Sequence, residues 1–455
     1  MNELVLTITN PLKFMTEENF CEKLKNSGYP EEVVYIKILK DINLSMEIEL
    51  HFKFAEIGQK FYTKYNGKSF CFSQNYKLNI KNGKSNIKYI KKEKEIIYED
   101  KYDSWIDTHY MTKINEEGLI LVNPQHKEIQ KKIIGILIQK INSSFIKGYN
   151  LFNYSFPLGT HDKRTLLQIF AYELREAPYI LYKVNFSSDP IEKLKFMTSF
   201  VISQIFLSPL RILPIKPILG ETYQVNIGNL YCYFEQTKIN PPTTNIYCFD
   251  SEGIYKIYGY ISIHSKTGIN NCKILKKGNI YIEFKDKQKY KIYYPCYYIG
   301  GITIGKRSFN VKDSSLVIDE TNRLVSYTKY FDKNKNYDII KYPDEFEGKL
   351  ISINEIKIDE KGSKHLIIEE DSIPLARFNG AWTKELDIDD KVYWKRNKTN
   401  LCKLYQPDYK LKSDSSLRPD LKLYNENNLE EAEKIFINLY KRQLRDCQLR
   451  QKYKK

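Results

Sequence analysis

The stretch 235-EQTKINPPTTNIYCFD-250 opens with an acid and an amide, closes in a run that reads as a strand, and holds a rigid Pro-Pro pair between them. Lys238, Ile239 and Asn240 precede Pro241 and Pro242, where a tight polar turn would be the usual choice. Outward from this stretch one pattern repeats. Between residues 222 and 396 short alternating runs rich in Tyr and Ile recur, among them "IYKIYGYISIH", "NIYIEFKDKQKYKIYYP", "SLVIDE" and "HLIIEE", bounded by clusters of Gly, Asn or Asp. Such alternation with such breaks predicts an antiparallel barrel.

Further motifs flank it in a fixed order: "KGYNLFNYSFPL" at 147–158, the helical pair "TLLQIFAYELREAPYILYKVNFSSDPIEKLKFMTSFVISQIF" at 165–206, "LPIKPILGETYQV" at 213–225 and "SSLRPDLKLYNENNLEEAEKIFINLYKRQLRDCQLRQ" at 415–451. From about residue 128 onward the chain resembles the lipid-binding domain of the oxysterol-binding-protein-related family. "LPIKPILGETYQV" is similar to that family's KPxNPxLGETYE, "EQTKINPP" to its EQVSHHPP, and the ending to its SRLRPD and closing helix. The resemblance implies a large antiparallel barrel enclosing an apolar tunnel for one lipid, with a lid before it and a helix after it. Hiding a few hundred Å² of carbon at about 25 cal/mol per Å² would supply several kcal/mol of binding.

In that family the paired histidines of EQVSHHPP help to hold the 4-phosphate of phosphatidylinositol 4-phosphate. Ile239 and Asn240 stand in their place here, after Lys238. The Lys and Asn of KPxNP align with Leu213 and Lys216, with Leu219 just beyond. A Lys, a Glu and an Arg spaced four apart on the closing helix align with Phe436, Tyr440 and Leu444. Glu235, Gln236, Pro241, Pro242, Pro217, Gly220, Glu221 and Thr222 remain. The turn-forming residues therefore survive while the phosphate ligands are replaced, mostly by apolar side chains. Each hydrogen bond to a charged group contributes about 1.5 to 3 kcal/mol. Losing several predicts phosphoinositide binding that is weakened or absent.

The lid implied by the resemblance is "KKIIGILIQKINSSFIKG", residues 131–148. Ile133, Ile134, Leu137, Ile138, Ile141 and Phe145 can share one helix face, with Lys131, Lys132, Lys140 and Lys147 at its margins, a pattern suited to covering a ligand or touching an anionic membrane. Leu151 and Phe152 follow as candidate lipid contacts. The bland alternative is an amphipathic helix packed on a core.

The N-terminal part reads differently. "ELVLTIT" predicts a strand, Thr16 caps a helix that stops at Gly28, "VVYIKILK" and "SMEIELHFKF" predict two strands, and a second helix breaks near Gly67. That order is a ferredoxin-like β-α-β-β-α-β unit, and the stretch resembles the RNA-recognition-motif fold. Aligned on it, the base-stacking positions are Thr7, Glu47 and Glu49; two carboxylates there would repel phosphate, so RNA binding is disfavoured and a protein-interaction or purely structural role is preferred. Residues 1–95 are thus expected as a small α/β domain, 96–127 as a linker and 128–455 as the lipid-binding domain, making the whole α+β.

Composition bounds what else is feasible. The 455 residues carry a net charge of +16, 42% hydrophobic residues, 37 Tyr and 23 Phe. Lys, Ile, Asn and Tyr are overused together, as an AT-rich genome produces, so the charge is discounted; its favoured target is a membrane surface. The eight cysteines form no CxxC pair, and neither a disulfide framework nor a zinc site is expected. No HExxH, GxSxG, P-loop or GxGxxG is present, so neither enzyme activity nor a cofactor is expected. The absence of a signal-peptide core and of an 18-residue apolar window predicts a soluble, cytoplasmic protein, peripheral at membranes. A second reading is a non-transporting interaction scaffold on a degenerate barrel.

Overall fold

The computed structural model describes residues 4–8, 33–40, 46–52, 80–83, 113–115, 118–120, 128, 131–132, 135, 156–208, 213–268, 270–302, 304–331, 340, 342–352, 373–396 and 400–452. The chain divides into two units, Met1–Tyr98 with Asn397–Cys402, and Glu99–Arg396 with Lys403–Lys455.

In the first unit, strands Leu4–Ile8, Val33–Lys40, Met46–Phe52 and Ile80–Gly83 form one sheet with Met46–Phe52 beside Val33–Lys40 and Leu4–Ile8 between Met46–Phe52 and Ile80–Gly83. All three pairings are antiparallel, and Thr7 stands opposite Glu49 in the register. The two helices expected between these strands lie outside the described residues.

The second unit is a closed antiparallel barrel. Its strands obey the period of two: Thr222–Ile227 and Lys289–Tyr293 bury every second residue. The longest hairpin among the described residues joins Tyr255–Thr267 to Asn271–Phe284, and each strand carries a glycine at positive φ. Gly259 at φ +136 and Gly278 at φ +145 lie so close across the pair that a Cβ on Gly259 would sit 1.8 Å from the Asn279 carbonyl oxygen. Residues 96–127, expected as a linker, depart from that expectation: Lys113–Asn115 and Gly118–Ile120 form a hairpin, and the second strand pairs with Ser308–Lys312 of the barrel wall. Three-residue strands carry too little alternation to stand out in sequence.

Helices Leu166–Glu173, Ala177–Phe186 and Pro190–Leu207 pack on the barrel. A capping box starts the first: Thr165 accepts from the Gln168 N–H, and the Gln168 side chain accepts from the Thr165 N–H at 2.8 Å. Asp189 caps the third by accepting from the Ile191 N–H, with Pro190 as its first residue. From Met197 to Leu207 every residue of that helix is buried, so it is enclosed on all sides, and Thr198 donates to Ser326 of the barrel at 2.7 Å. Trp382 is fully buried with its ring 5.9 Å from Phe309. Replacing Thr165 by Ala is expected to lower stability by about 1 kcal/mol, read as a shift in the urea midpoint at constant slope.

Candidate functional site

The hairpin that carries "EQTKINPP" pairs Leu230–Ile239 with Pro242–Asp250. Leu230, Cys232, Phe234 and Gln236 are buried, while Tyr233 and Glu235 between them are exposed. The register shifts between Gln236 and Lys238, and the Asn240–Pro241 peptide is cis. Gln236 organises this end. Its side-chain amide donates to the Lys238 carbonyl at 2.6 Å and accepts from the Thr244 hydroxyl at 2.9 Å. Its backbone bonds in both directions to the turn 217–221, accepting from the Gly220 N–H at 2.8 Å and donating to the Glu221 carbonyl at 2.9 Å. Gly220 sits at φ +81, where a side chain would be strained. The retained Gln, Gly and Glu therefore hold two loops to one another, which is a structural task independent of any phosphate.

The closing helix, Leu429–Lys452, completes the region. Phe436 is buried with Leu158, Ile215, Leu421 and Ala432, and its ring lies 5.9 Å from that of His161. One turn on, the Tyr440 ring has the Lys216 ammonium 5.7 Å from its centre. Gln443 accepts from the Leu219 N–H at 2.9 Å, and Glu433 accepts from the Leu158 N–H. Burial pushes the Lys216 amine down to about 8 and the His161 imidazole down to about 4, so His161 is neutral and spends its Nδ1 on the Pro157 carbonyl at 3.0 Å. Burial also raises the Tyr440 phenol.

Lys216, Leu219, Phe436 and Tyr440 are thus brought to one wall, and Leu213 joins it through a parallel pairing with His161. Ile239 is half-buried at the hairpin end, and Lys238 and Asn240 are exposed. Phe436 is a core residue, and Leu444 is 45% exposed. The reason is helical phase: each step of four residues overshoots a turn by about 40°, so 436, 440 and 444 rotate off one face, whereas seven residues nearly close two turns and bring Gln443 back. Gln443 and His161 were missed; the spacing 436, 440, 443 is the signal that could have found the first. Ile134, Leu137, Ile138, Ile141, Leu151 and Phe152 lie outside the described residues. Glu128, Lys131, Lys132 and Gly135 are helical and exposed, with Lys131 2.8 Å from Glu128.

Inside the barrel, the helix Leu166–Glu173 faces the long strand Asn271–Phe284 across a buried ion pair. Lys276 Nζ lies 2.7 and 2.6 Å from the two carboxylate oxygens of Glu173. Phe170, Phe200, Gln204, Tyr294 and a wall of Ile246, Ile257, Ile261 and Ile280 surround a cavity of about 10 Å³ beside it. Among the described residues no acidic, histidine and cysteine cluster could hold a metal ion, and no helix is long and apolar enough to cross a membrane.

Comparison with known proteins places this architecture. Residues 141–454 match the family model described as oxysterol-binding protein. Oxysterol-binding protein 9 of Dictyostelium discoideum is 28% identical over 339 residues, which are 72% of this chain and 76% of that protein. Oxysterol-binding protein-related protein 2 of Mus musculus is 25% identical over 185 residues, 39% of this chain and 35% of the mouse protein. Among solved structures, the Osh1 ORD domain in complex with cholesterol matches with a TM-score of 0.57 and 16% identity, over 76% of this chain and 85% of that one. The Osh3 ORD of Saccharomyces cerevisiae in complex with PI(4)P matches with a TM-score of 0.53 and 17% identity, over 75% and 89%. At these identities the structural likeness concerns the fold.

Proposed function

The chain belongs to the oxysterol-binding protein family, and from that premise we propose that it is an intracellular lipid carrier that holds a sterol or phospholipid in its barrel and has lost most of its affinity for phosphatidylinositol 4-phosphate. The observation that carries the second half is Phe436. Where the family resemblance implies a cationic phosphate ligand, this residue packs into a core with Leu158, Ile215 and Leu421, and the neighbouring His161 is held neutral by burial. A phosphate brought there would lose water against the Phe436 ring and a neutral imidazole, an exchange that is unfavourable. Lys216 is the cation left on this wall, and it rests against Tyr440.

The carrier does no covalent chemistry on its ligand and works from the cytoplasm, peripherally at anionic membranes. The strand order of residues 4–83 supports a ferredoxin-like unit resembling an RNA-recognition motif, which here recruits a protein partner. One observation favours the alternative reading, an interaction scaffold: the polar pair Glu173–Lys276 sits inside the barrel beside a cavity with room for about one water.

Liposomes containing sterol, phosphatidylserine and phosphatidylinositol 4-phosphate test the proposal, with the lipids carried off by the soluble protein identified by mass spectrometry. Recovery of a sterol or an acyl lipid with less than a tenth as much phosphoinositide is the expected result. Stoichiometric phosphoinositide would overturn the assignment of the headgroup wall. Recovery of no lipid would favour the scaffold.

A further inference from the structure

We propose that the Glu173–Lys276 pair is a selectivity element that keeps rigid, sterol-sized ring systems out of the barrel and reserves the interior for lipids with flexible acyl chains. This rests on the lipid-binding reading above and narrows its ligand class. The two residues lie 103 positions apart and meet inside the barrel, one from the last turn of the helix Leu166–Glu173, the other from the strand Asn271–Phe284. The side chain of Lys276 is 0% exposed and that of Glu173 5%. Three rings close around the ammonium, Tyr297 at 4.9 Å, Tyr294 at 5.2 Å and Phe170 at 5.6 Å, and Tyr294 is itself tied to Gln204 by a 3.0 Å hydrogen bond.

Such a pair is a poor device for stability, because apolar residues of the same volume serve as well or better once two charges need not leave water. Its value in an isoleucine-lined interior lies elsewhere. The space beside it measures about 10 Å³, room for about one water, so any lipid segment that reaches this point must displace the side chains around it. A fused-ring ligand cannot bend, so seating it here requires the lining side chains to part together. The isoleucines and phenylalanines can do this by changing rotamers. Glu173 and Lys276 cannot, since separating them strands an unpaired charge in hydrocarbon. A flexible acyl chain bends past an obstacle of this kind.

The test uses the full chain and two probes offered in phosphatidylcholine vesicles, an intrinsically fluorescent sterol and a phosphatidylcholine with a pyrene-labelled acyl chain. The wild-type protein is expected to take up the acyl probe and at least tenfold less sterol. Glu173→Leu combined with Lys276→Met keeps the bulk of both side chains and removes both charges; it is expected to raise sterol uptake at least tenfold while leaving the acyl probe nearly unchanged. Equal uptake of sterol and acyl probe by the wild type would overturn the proposal, a result that does not depend on any variant folding. Unchanged sterol uptake by a double variant that still takes the acyl probe would overturn it as well. If neither probe is taken up by either protein, the lipid-carrier reading fails and the proposal falls with it.

Discussion

Arg418→Ala is expected to destabilise the barrel unit by about 3 to 5 kcal/mol, the cost of breaking a buried ion network by removing one partner. The guanidinium makes four hydrogen bonds. Nη1 donates to Glu221 at 2.8 Å and to the Lys216 carbonyl at 3.1 Å, while Nε and Nη2 fork onto the Asp420 carboxylate, with Nε at 3.1 Å. Side-chain exposures are 7% for Arg418, 3% for Glu221 and 0% for Asp420, so water cannot replace the lost partner. Burial pushes the Glu221 carboxyl up, and Arg418 is the largest influence pulling it back. Glu221 also accepts from the Ser415 hydroxyl and the Ile218 N–H, which makes the network the clasp between the turn 216–221 and the segment before the closing helix. Arg418→Lys should recover little, because a single ammonium cannot fork onto one carboxylate and reach the other. Chemical denaturation measures both; a loss below 1 kcal/mol for the Ala variant would refute the buried network. The exposed Lys434–Glu430 pair is the contrast, at 59% and 86% exposure, and its removal should be close to neutral.

Glu176→Gln is expected to stabilise the protein by about 3 kcal/mol above pH 7 and to leave it unchanged below pH 4.5. Glu176 precedes the helix Ala177–Phe186 and accepts from the Trp394 indole N–H at 2.7 Å. Burial raises its carboxyl from 4.5 to about 7, with the Trp394 bond, Lys183 and Arg175 pulling the other way. Between those values the unfolded chain has released the proton and the folded chain keeps it, so this group's contribution falls as pH rises through the window and stays low above it. Gln keeps an acceptor for Trp394 and has no proton to lose. His161 acts with the opposite sign: its imidazole is held at about 4 rather than 6.5 by burial, so its contribution is lost as pH falls from 6.5 through 4. The two slopes largely cancel in the wild type between 4.5 and 6.5. The difference between variant and wild-type curves isolates Glu176, and a difference that does not grow between pH 5 and 7 would sink the assignment.

The barrel was legible because its signal is local. Runs such as "IYKIYGYISIH" alternate over enough residues to reveal a two-sided strand, and the clusters of Gly, Asn and Asp between them mark the turns. The turn residues Gln236, Gly220 and Glu221 were legible as survivors, although what they do became clear when each proved to bond to the other loop. The hairpin at 113–120 was hidden, since three residues per strand cannot display a period.

The sequence by itself determined the family, the antiparallel barrel with its closing helix, and which side chains stand at 239, 240, 436, 440 and 444, the positions where the resemblance implies phosphate contacts, because each depends on residue type at a known spacing along the chain. The tertiary structure decided what those side chains became. Phe436 turned inward to a core and Leu444 outward to water because a helix has 3.6 residues per turn and a single buried stripe, whose phase is set by the residues it meets, Leu158 and Ile215. Glu173 and Lys276 paired because the barrel brings residues 103 apart to one interior point. Nothing in a linear sequence marks which of 56 acids and 72 bases will meet in the dark of a core, since that depends on chain closure in three dimensions.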